Sequence, residues 1–121
     1  GEPFKVMDVE FQPLRLSHGP HFDVLGFRIG NFAYCTDTNY IPDSSLNLLA
    51  GLDTFVVDAL RWKSHPTHFS VKEACEIAER IQPRQTFLTH VCHDLEHEET
   101  NALLPQGIAL AYDGLRFQIE L

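Results

Sequence analysis

Residues 70–89, SVKEACEIAERIQPRQTFLT, hold a helix signal followed by a strand signal, and the rest of the chain can be interpreted outward from them. Ser70 and Glu73 have the spacing of a capping box, which marks a helix N-terminus. Apolar residues then recur along one helical face, which predicts a helix over residues 71–81, and Pro83 stops it. The last five residues of the stretch have the β-branched and apolar composition of a strand.

The segments on either side predict more strands than helices. Predicted strands cover residues 4–16 (with a break near Pro13), 23–29, 32–36, 54–57 and 85–89, and a closing hairpin pairs 108–111 with 115–119 over Asp113-Gly114. Two further helices are predicted over 43–50 and 95–104, the second with Asp94 as its N-cap. Strands that alternate with helices predict an α/β (α+β) fold with a mixed sheet, and residues 1–121 form one domain.

Net charge, apolar content and cysteine usage limit the kinds of molecule that the protein is expected to bind. The chain has 121 residues and a net charge of −8, which disfavours nucleic-acid backbones and anionic membranes. No apolar run approaches the roughly 18–20 residues of a membrane span, and no signal peptide is visible, so we expect no membrane association. Three cysteines without a CxxC motif indicate reduced thiols and a cytoplasmic protein. Since the chain starts at Gly1 without an initiator Met, we expect a part of a longer protein.

Histidines and carboxylates follow several predicted strands directly. They are His18, Asp37, Asp58 and His90, with His93 and Asp94 shortly after His90. Ligands gather at the carboxyl edge of such sheets, and imidazole with carboxylate suits Zn²⁺, Mn²⁺ or Fe²⁺. Each residue alone also has an ordinary explanation as a turn, a cap or a surface side chain.

A further motif, around His97, does not add evidence for a metal site. His97-Glu98 resembles the start of HExxH, but Asn101 stands at the second histidine position, so we expect His97 to be a surface residue. From spacing alone, a metal site is one reading of the strand-end residues and a set of structural side chains is the other.

Seven strings together resemble the metallo-β-lactamase superfamily, most closely its branch of phosphoribosyl cyclic phosphate phosphodiesterases. They are LSHG (16–19), GFRI (26–29), AYCTD (33–37), VDALR (57–61), HPTHFS (65–70), LTHVCHD (88–94) and AYDGL (111–115). The match runs from about Leu14 to Phe117 in the family's order, and it implies the C-terminal half of an αββα sandwich with helices on one face of the sheet.

The resemblance implies a role for each matched residue. His18, Asp37 and His90 correspond to metal ligands, with Asp37 bridging two metals and thereby also catalytic. His68 corresponds to a histidine that contacts the substrate phosphate and acts as general acid, so it is both a catalytic and a substrate-binding residue. Asp58 and His93 correspond to residues that orient these ligands by hydrogen bonds. The implied cofactors are two divalent metal ions, Zn or Mn, per complete active site.

One family motif is missing. The string HxHxDH, which supplies the other metal-binding side chains in the N-terminal half of the fold, does not occur in this sequence. We therefore expect a fragment that is inactive when isolated. Without that half, one sheet face lined by Phe27, Ile29, Tyr34, Val56 and Leu88 is expected to be exposed. Exposed apolar patches of this kind predict a homodimer, or pairing with the missing N-terminal half.

Three functions follow from these observations. The first is the C-terminal part of a di-metal hydrolase that cleaves phosphodiester bonds in a small phosphorylated substrate. The second is an RNA-processing nuclease of the same superfamily, which the acidic charge disfavours. The third is a non-catalytic half-length module that acts as a metal-binding or assembly surface.

Overall fold

The computed structural model describes residues 1–92 and 95–119, and a seven-stranded sheet forms its centre. The strands follow chain order across the sheet: β1 (Phe4–Val6), β2 (Val9–Ser17), β3 (Asp23–Ile29), β4 (Phe32–Cys35), β5 (Thr54–Asp58), β6 (Gln85–Thr89) and β7 (Ile108–Leu110). Strands β1 to β4 pair antiparallel, whereas β4 to β7 pair parallel. The predicted α/β fold with a mixed sheet is confirmed.

Three helices accompany the sheet in the described part of the chain: α1 (Asp43–Leu46), α2 (Val71–Ile81) and α3 (His97–Leu103). Helix α2 begins with the predicted capping box, in which the Ser70 side chain accepts from the Glu73 amide and the Glu73 carboxylate accepts from the Ser70 amide. It connects the parallel strands β5 and β6, as a crossover must. None of these helices combines the length and apolarity needed to cross a membrane.

The helix-covered face of the sheet holds the core. Cys35, Val57, Leu88 and Leu110 are cross-strand partners in β4 to β7, and all four are buried. They form one cluster with apolar residues of α2 such as Val71. Burial of such side chains stabilises the fold by roughly 1.5–3 kcal/mol each.

The opposite face carries aromatic side chains. The register places Phe27, Tyr34, Val56 and Phe87 side by side on it. The prediction that Leu88 lines this face is wrong: alternation along β6 puts Leu88 into the core, and Phe87 takes the predicted place.

The N-terminal hairpin corrects a second prediction. The break in the first strand falls at Met7 and Asp8, which form a turn with positive φ, while Pro13 lies inside β2 opposite Phe27. Strand β1 pairs with β2 only as far as Phe11, so the missing N–H of Pro13 costs no bond on that side.

The C-terminal segment corrects a third prediction. The turn over Asp113-Gly114 is present, but residues 115–119 form no strand. Instead, the Phe117 ring packs at 5.4 Å from Phe32 and at 5.6 Å from Phe87, measured between ring centroids. Ring packing against the aromatic face thus replaces pairing at the sheet edge, although Phe117 stays 39% exposed.

The two shorter helices differ from their predictions mainly at the ends. Helix α1 is one turn long, whereas the sequence predicted a helix to residue 50. Helix α3 is capped by Glu96, whose side chain accepts from the Glu99 amide, so the prediction of Asp94 as its N-cap is wrong. Asp94 and His93 themselves lie outside the described residues.

Candidate metal centre

Four of the predicted residues meet at the carboxyl edge of the sheet. His18 directly follows β2, Asp37 lies two residues beyond β4, Asp58 ends β5 and His90 directly follows β6. Strand β2 runs in the same direction as the parallel strands, because two antiparallel pairings separate it from β4. All four strands therefore end at the same edge, where the loops of α/β sheets collect ligands.

The distances within this edge are short. His90 Nε2 lies 3.4 Å from Asp37 Oδ1, and His18 Nδ1 lies 2.6 Å from the Asp37 carbonyl oxygen. Since only a protonated Nδ1 can donate to a carbonyl, the neutral His18 ring keeps its lone pair on Nε2. A histidine held in this way has one nitrogen oriented by the protein and the other available to a cation.

His68 lies between the other imidazoles. Its ring centroid is 4.6 Å from that of His90 and 5.2 Å from that of His18. Its Nδ1 lies 2.7 Å from Asp58 Oδ2, and 4.0 Å from Asp37 Oδ1. The residue comes from the loop before α2, 22 to 50 positions away in sequence from His90, Asp37 and His18 and 10 positions from Asp58.

Two sets of side chains in the described residues could hold a cation. His18, Asp37 and His68 form one set, and Asp58, His68 and His90 form the other, with ligand atoms within 4.8 Å of one another in each. Imidazole nitrogens and carboxylate oxygens suit Zn²⁺ and Mn²⁺, so the donor chemistry fits the cofactors that the sequence implies. The geometry adds His68 as a neighbour to the predicted ligands His18, Asp37 and His90.

Asp58 is the buried acid of this edge. Its Oδ2 accepts hydrogen bonds from the Thr38 amide at 3.1 Å and from His68 Nδ1, while Oδ1 has no partner among the described residues. Burial raises the pKa of Asp58, and His68, His90 and the Thr38 amide only partly offset that rise. The carboxylate thus orients the His68 ring at the cost of desolvation.

Thr38 was missed by the sequence analysis. It is fully buried, its hydroxyl donates to the Ser17 carbonyl at 2.5 Å, and its own carbonyl accepts from the Phe69 amide at 2.9 Å. These bonds join the ends of β2 and β4 to the loop that carries His68. A threonine after a strand is common in turns, so its sequence held no specific signal for this role.

His65 was also left without a role. Its Nδ1 accepts from the Thr67 amide at 3.1 Å, and its ring centroid is 5.2 Å from that of His68. Desolvation has the largest effect on the pKa of His65 and lowers it, and the nearby Arg61 and His68 lower it further. The spacing His65-Pro66-Thr67-His68 could have pointed to it, because a proline between two histidines favours a turn that brings them together.

Comparisons with known proteins agree with this architecture. The family model described as "Beta-lactamase superfamily domain" matches residues 1–91. A curated octanoyltransferase of Porphyromonas gingivalis is 32% identical over 120 residues, which are 98% of this chain and 24% of that protein. The chain therefore spans about a quarter of that relative.

Three solved structures have the same fold. A diphosphatase from the PhnP family is 45% identical, with a TM-score of 0.96, and the match covers 99% of this chain and 47% of the diphosphatase. The metallo-β-lactamase fold protein YhfI from Bacillus subtilis is 19% identical with a TM-score of 0.74, and the match covers 94% of this chain and 51% of YhfI. The short form of human tRNase Z is 16% identical with a TM-score of 0.73, at 98% and 45% coverage. The last two matches show the fold alone, and the chain spans about half the length of each structure.

Proposed function

The chain belongs to the β-lactamase superfamily, whose members are metal-dependent hydrolases. We propose that it corresponds to the C-terminal half of a di-metal hydrolase that cleaves phosphodiester bonds in a small substrate. The observation that carries the proposal is the convergence of His18, Asp37 and His90 around His68 at one edge of the sheet. The 45% identity with a PhnP-family diphosphatase supports phosphorus chemistry in particular.

Under this proposal, His18, Asp37 and His90 hold two divalent cations, zinc or manganese, together with ligands from the other half of the fold. When bound, such cations lower the pKa of water and neutralise phosphate charge. Three side chains are too few for two ions, since a single catalytic zinc already takes three protein ligands. This explains the further proposal that the 121-residue chain alone has no turnover.

His68 is the proposed catalytic and substrate-binding residue. Its Nδ1 faces the buried Asp58 carboxylate, which leaves Nε2 for the substrate side of the ring. In the protonated imidazole, Nε2–H can donate a hydrogen bond to the phosphate and pass its proton to the departing alkoxide oxygen. Asp58 positions the ring, and Thr38 in turn holds Asp58 through its amide. His93 stays a predicted orienting residue that lies outside the described part of the chain.

The test is hydrolysis of bis(p-nitrophenyl) phosphate by the full-length gene product, with Zn²⁺ or Mn²⁺ added. We expect metal-dependent turnover that Asp37→Asn abolishes. Asp53→Asn is the matched control, since Asp53 is a partly exposed carboxylate that precedes β5 at the opposite edge. Absence of turnover with either metal, or equal activity of the Asp37 variant, would contradict the proposal.

The charge of the chain favours a small substrate over RNA. A net charge of −8 repels an extended phosphate backbone, whereas a metal centre still attracts a compact anion. The three cysteines, Cys35, Cys75 and Cys92, are free thiols, and burial raises the pKa of Cys35 to about 12. Free thiols in place of disulfides support the proposal of a cytoplasmic protein.

We also propose that the aromatic face of the sheet is an assembly surface. Phe4, Phe11 and Phe27 pack together at one end of it, with ring centroids 5.4–6.1 Å apart, and Tyr34 on the same face is 46% exposed. For the 121-residue chain the proposed occupant is a second copy. In a longer protein, the half that this chain does not match would take the same place.

Light scattering during size-exclusion chromatography tests the assembly. We expect a dimer that Tyr34→Lys converts to a monomer, because a buried unpaired ammonium is costly. Tyr112→Lys is the control, as Tyr112 is 58% exposed in the segment after β7. A well-folded wild-type monomer near 13.8 kDa would contradict this proposal.

A further inference from the structure

The protonation pattern of His65 follows from one backbone contact. The Thr67 amide donates to His65 Nδ1 at 3.1 Å, and the Thr67 hydroxyl lies 3.3 Å from the same nitrogen. A backbone N–H can only donate, so Nδ1 carries a lone pair in this structure. The proton of the neutral ring is therefore on Nε2, and none of the hydrogen bonds among residues 1–92 and 95–119 uses that group.

The loop that carries His65 lies next to the candidate metal centre. The His65 ring packs against His68, which itself contacts His90 and His18. On the other side, a Cβ placed on Gly19 would meet the Thr67 methyl group at 3.0 Å, so the loop after β2 and the loop of His65 are in close contact. His65 is partly exposed, which leaves it accessible to a ligand at this edge.

His65 and the neutral form of His68 present opposite hydrogen-bonding groups. His68 directs Nδ1 to the Asp58 carboxylate, which needs a proton on Nδ1, so the neutral His68 ring has its lone pair on Nε2. His65 directs Nδ1 to an amide, so its Nε2 is a donor. Desolvation and the charge of Arg61 favour the neutral form of His65, which keeps this donor in one tautomer.

We propose that His65 is a substrate-positioning residue that donates its Nε2–H to a non-bridging phosphoryl oxygen of the substrate beside His68. This inference rests on the proposed function, because it takes the ligand to be a phosphate ester. The bond orients the phosphoryl group and leaves proton transfer to His68.

Two substitutions separate this role from a purely structural one. In His65→Asn, the side-chain oxygen can still accept from the Thr67 amide, as in an Asx turn, but the distal donor is lost. In His65→Gln, the longer side chain carries an amide N–H to the region of Nε2. We expect His65→Asn to weaken binding of phenyl phosphate about tenfold in the presence of Zn²⁺, and His65→Gln to restore most of the affinity.

A spectroscopic measurement does not depend on any variant. Long-range ¹H–¹⁵N correlation in the wild-type full-length protein with Zn²⁺ should show the Nε2–H tautomer of His65, and phenyl phosphate should shift its Nε2 resonance. The exposed His97 on α3 serves as the control that should not respond. The Nδ1–H tautomer, or an Nε2 resonance that phenyl phosphate leaves in place, would overturn the proposal.

The two proposals fail in distinguishable ways. Metal-dependent hydrolysis by the full-length protein with an unchanged KM in His65→Asn would overturn the role of His65 alone. Phenyl phosphate binding that depends on His65, in a protein that shows no hydrolysis with either metal, would contradict the proposed function and support the role of His65.

Discussion

The loops at the two edges of the parallel strands both contain left-handed backbone, but different residue types adopt it. At the amino edge, left-handed backbone is assigned to Gly30 and Gly107, with φ of 55° and 86°. Directly after β4 and β6, the left-handed residues are Asp37 and His90, with φ of 60° and 63°. Gln82 ends α2 as a left-handed C-cap near the amino edge, and Met7 and Asp8 are left-handed in the turn before β2.

Non-glycine residues with positive φ indicate positions where a particular side chain is required. Glycine adopts positive φ without penalty, whereas an ordinary residue there costs roughly 1–2 kcal/mol. Asp37 and His90 carry this cost at the ends of β4 and β6, and the same edge buries the Asp58 carboxylate with one oxygen unpaired among the described residues. Strain and desolvation persist at sites where a particular side chain is required. These features support the proposal that the carboxyl edge carries the chemistry.

The largest expected effect at this edge concerns metal affinity. His90→Ala removes a predicted ligand, and we expect a loss of at least about 100-fold in Zn²⁺ affinity, since even outer partners of ligands contribute 10- to 100-fold. Competition with a chromophoric chelator measures it. His97→Ala, on the exposed helix α3, is the control that should leave the affinity unchanged. Equal Zn²⁺ affinities of the two variants would contradict the role of His90 as a metal ligand at the carboxyl edge.

The next effect is the pH dependence of stability. A carboxyl group whose pKa is raised in the folded state binds its proton more tightly there than in the unfolded chain. The Asp58 pKa is raised from 3.8, so the free energy of unfolding should fall as pH rises from about 4 through the folded-state pKa. Asp58→Asn removes this titration. In urea denaturation with chelator, we expect the stability of Asp58→Asn relative to wild type to increase with pH. A difference that stays constant would count against a desolvated Asp58.

A smaller effect isolates the backbone strain. His90→Gly and His90→Ala both lack the imidazole, but only glycine relaxes at φ of 63°. We expect the glycine variant to be more stable than the alanine variant by about 1 kcal/mol, in spite of the greater entropy of glycine in the unfolded chain. Chemical denaturation of the two variants measures the difference. A more stable alanine variant would show that position 90 carries no strain.

The smallest effect is expected at the amino edge. Arg84 Nε lies 3.7 Å from Asp53 Oδ1, with the Arg84 side chain largely exposed and the Asp53 side chain partly exposed. Arg84→Ala should therefore change the free energy of unfolding by no more than about 1 kcal/mol and leave Zn²⁺ affinity unchanged. A loss of metal affinity in this variant would show that the two edges are coupled.

Features with a local cause were predictable. The capping box of Ser70 and Glu73 marks the start of α2, and the proline after the helix marks its end. The strands that end near Asp37 and His90 followed from short apolar runs, and their shared edge followed from the rule for parallel strands. Because these signals act over a few residues, the predicted positions needed no knowledge of partners.

Features that depend on partners were not predictable. Whether Leu88 or Phe87 faces the helices depends on the register of β6 against β5, and a shift by one residue reverses it. The path of Phe117 depends on the aromatic face that Phe32 and Phe87 offer to it. The contact of Asp58 with His68 joins two loops whose geometry no local pattern sets.

Residue types and their spacing were enough to identify the helix, the strands and the histidines and carboxylates able to bind a cation, since these are properties of short segments. Which nitrogen of His18, His65 and His68 holds its proton was decided only in the folded chain. That choice depends on the carbonyl, amide or carboxylate that lies opposite each ring, and only folding brings those groups within hydrogen-bonding distance.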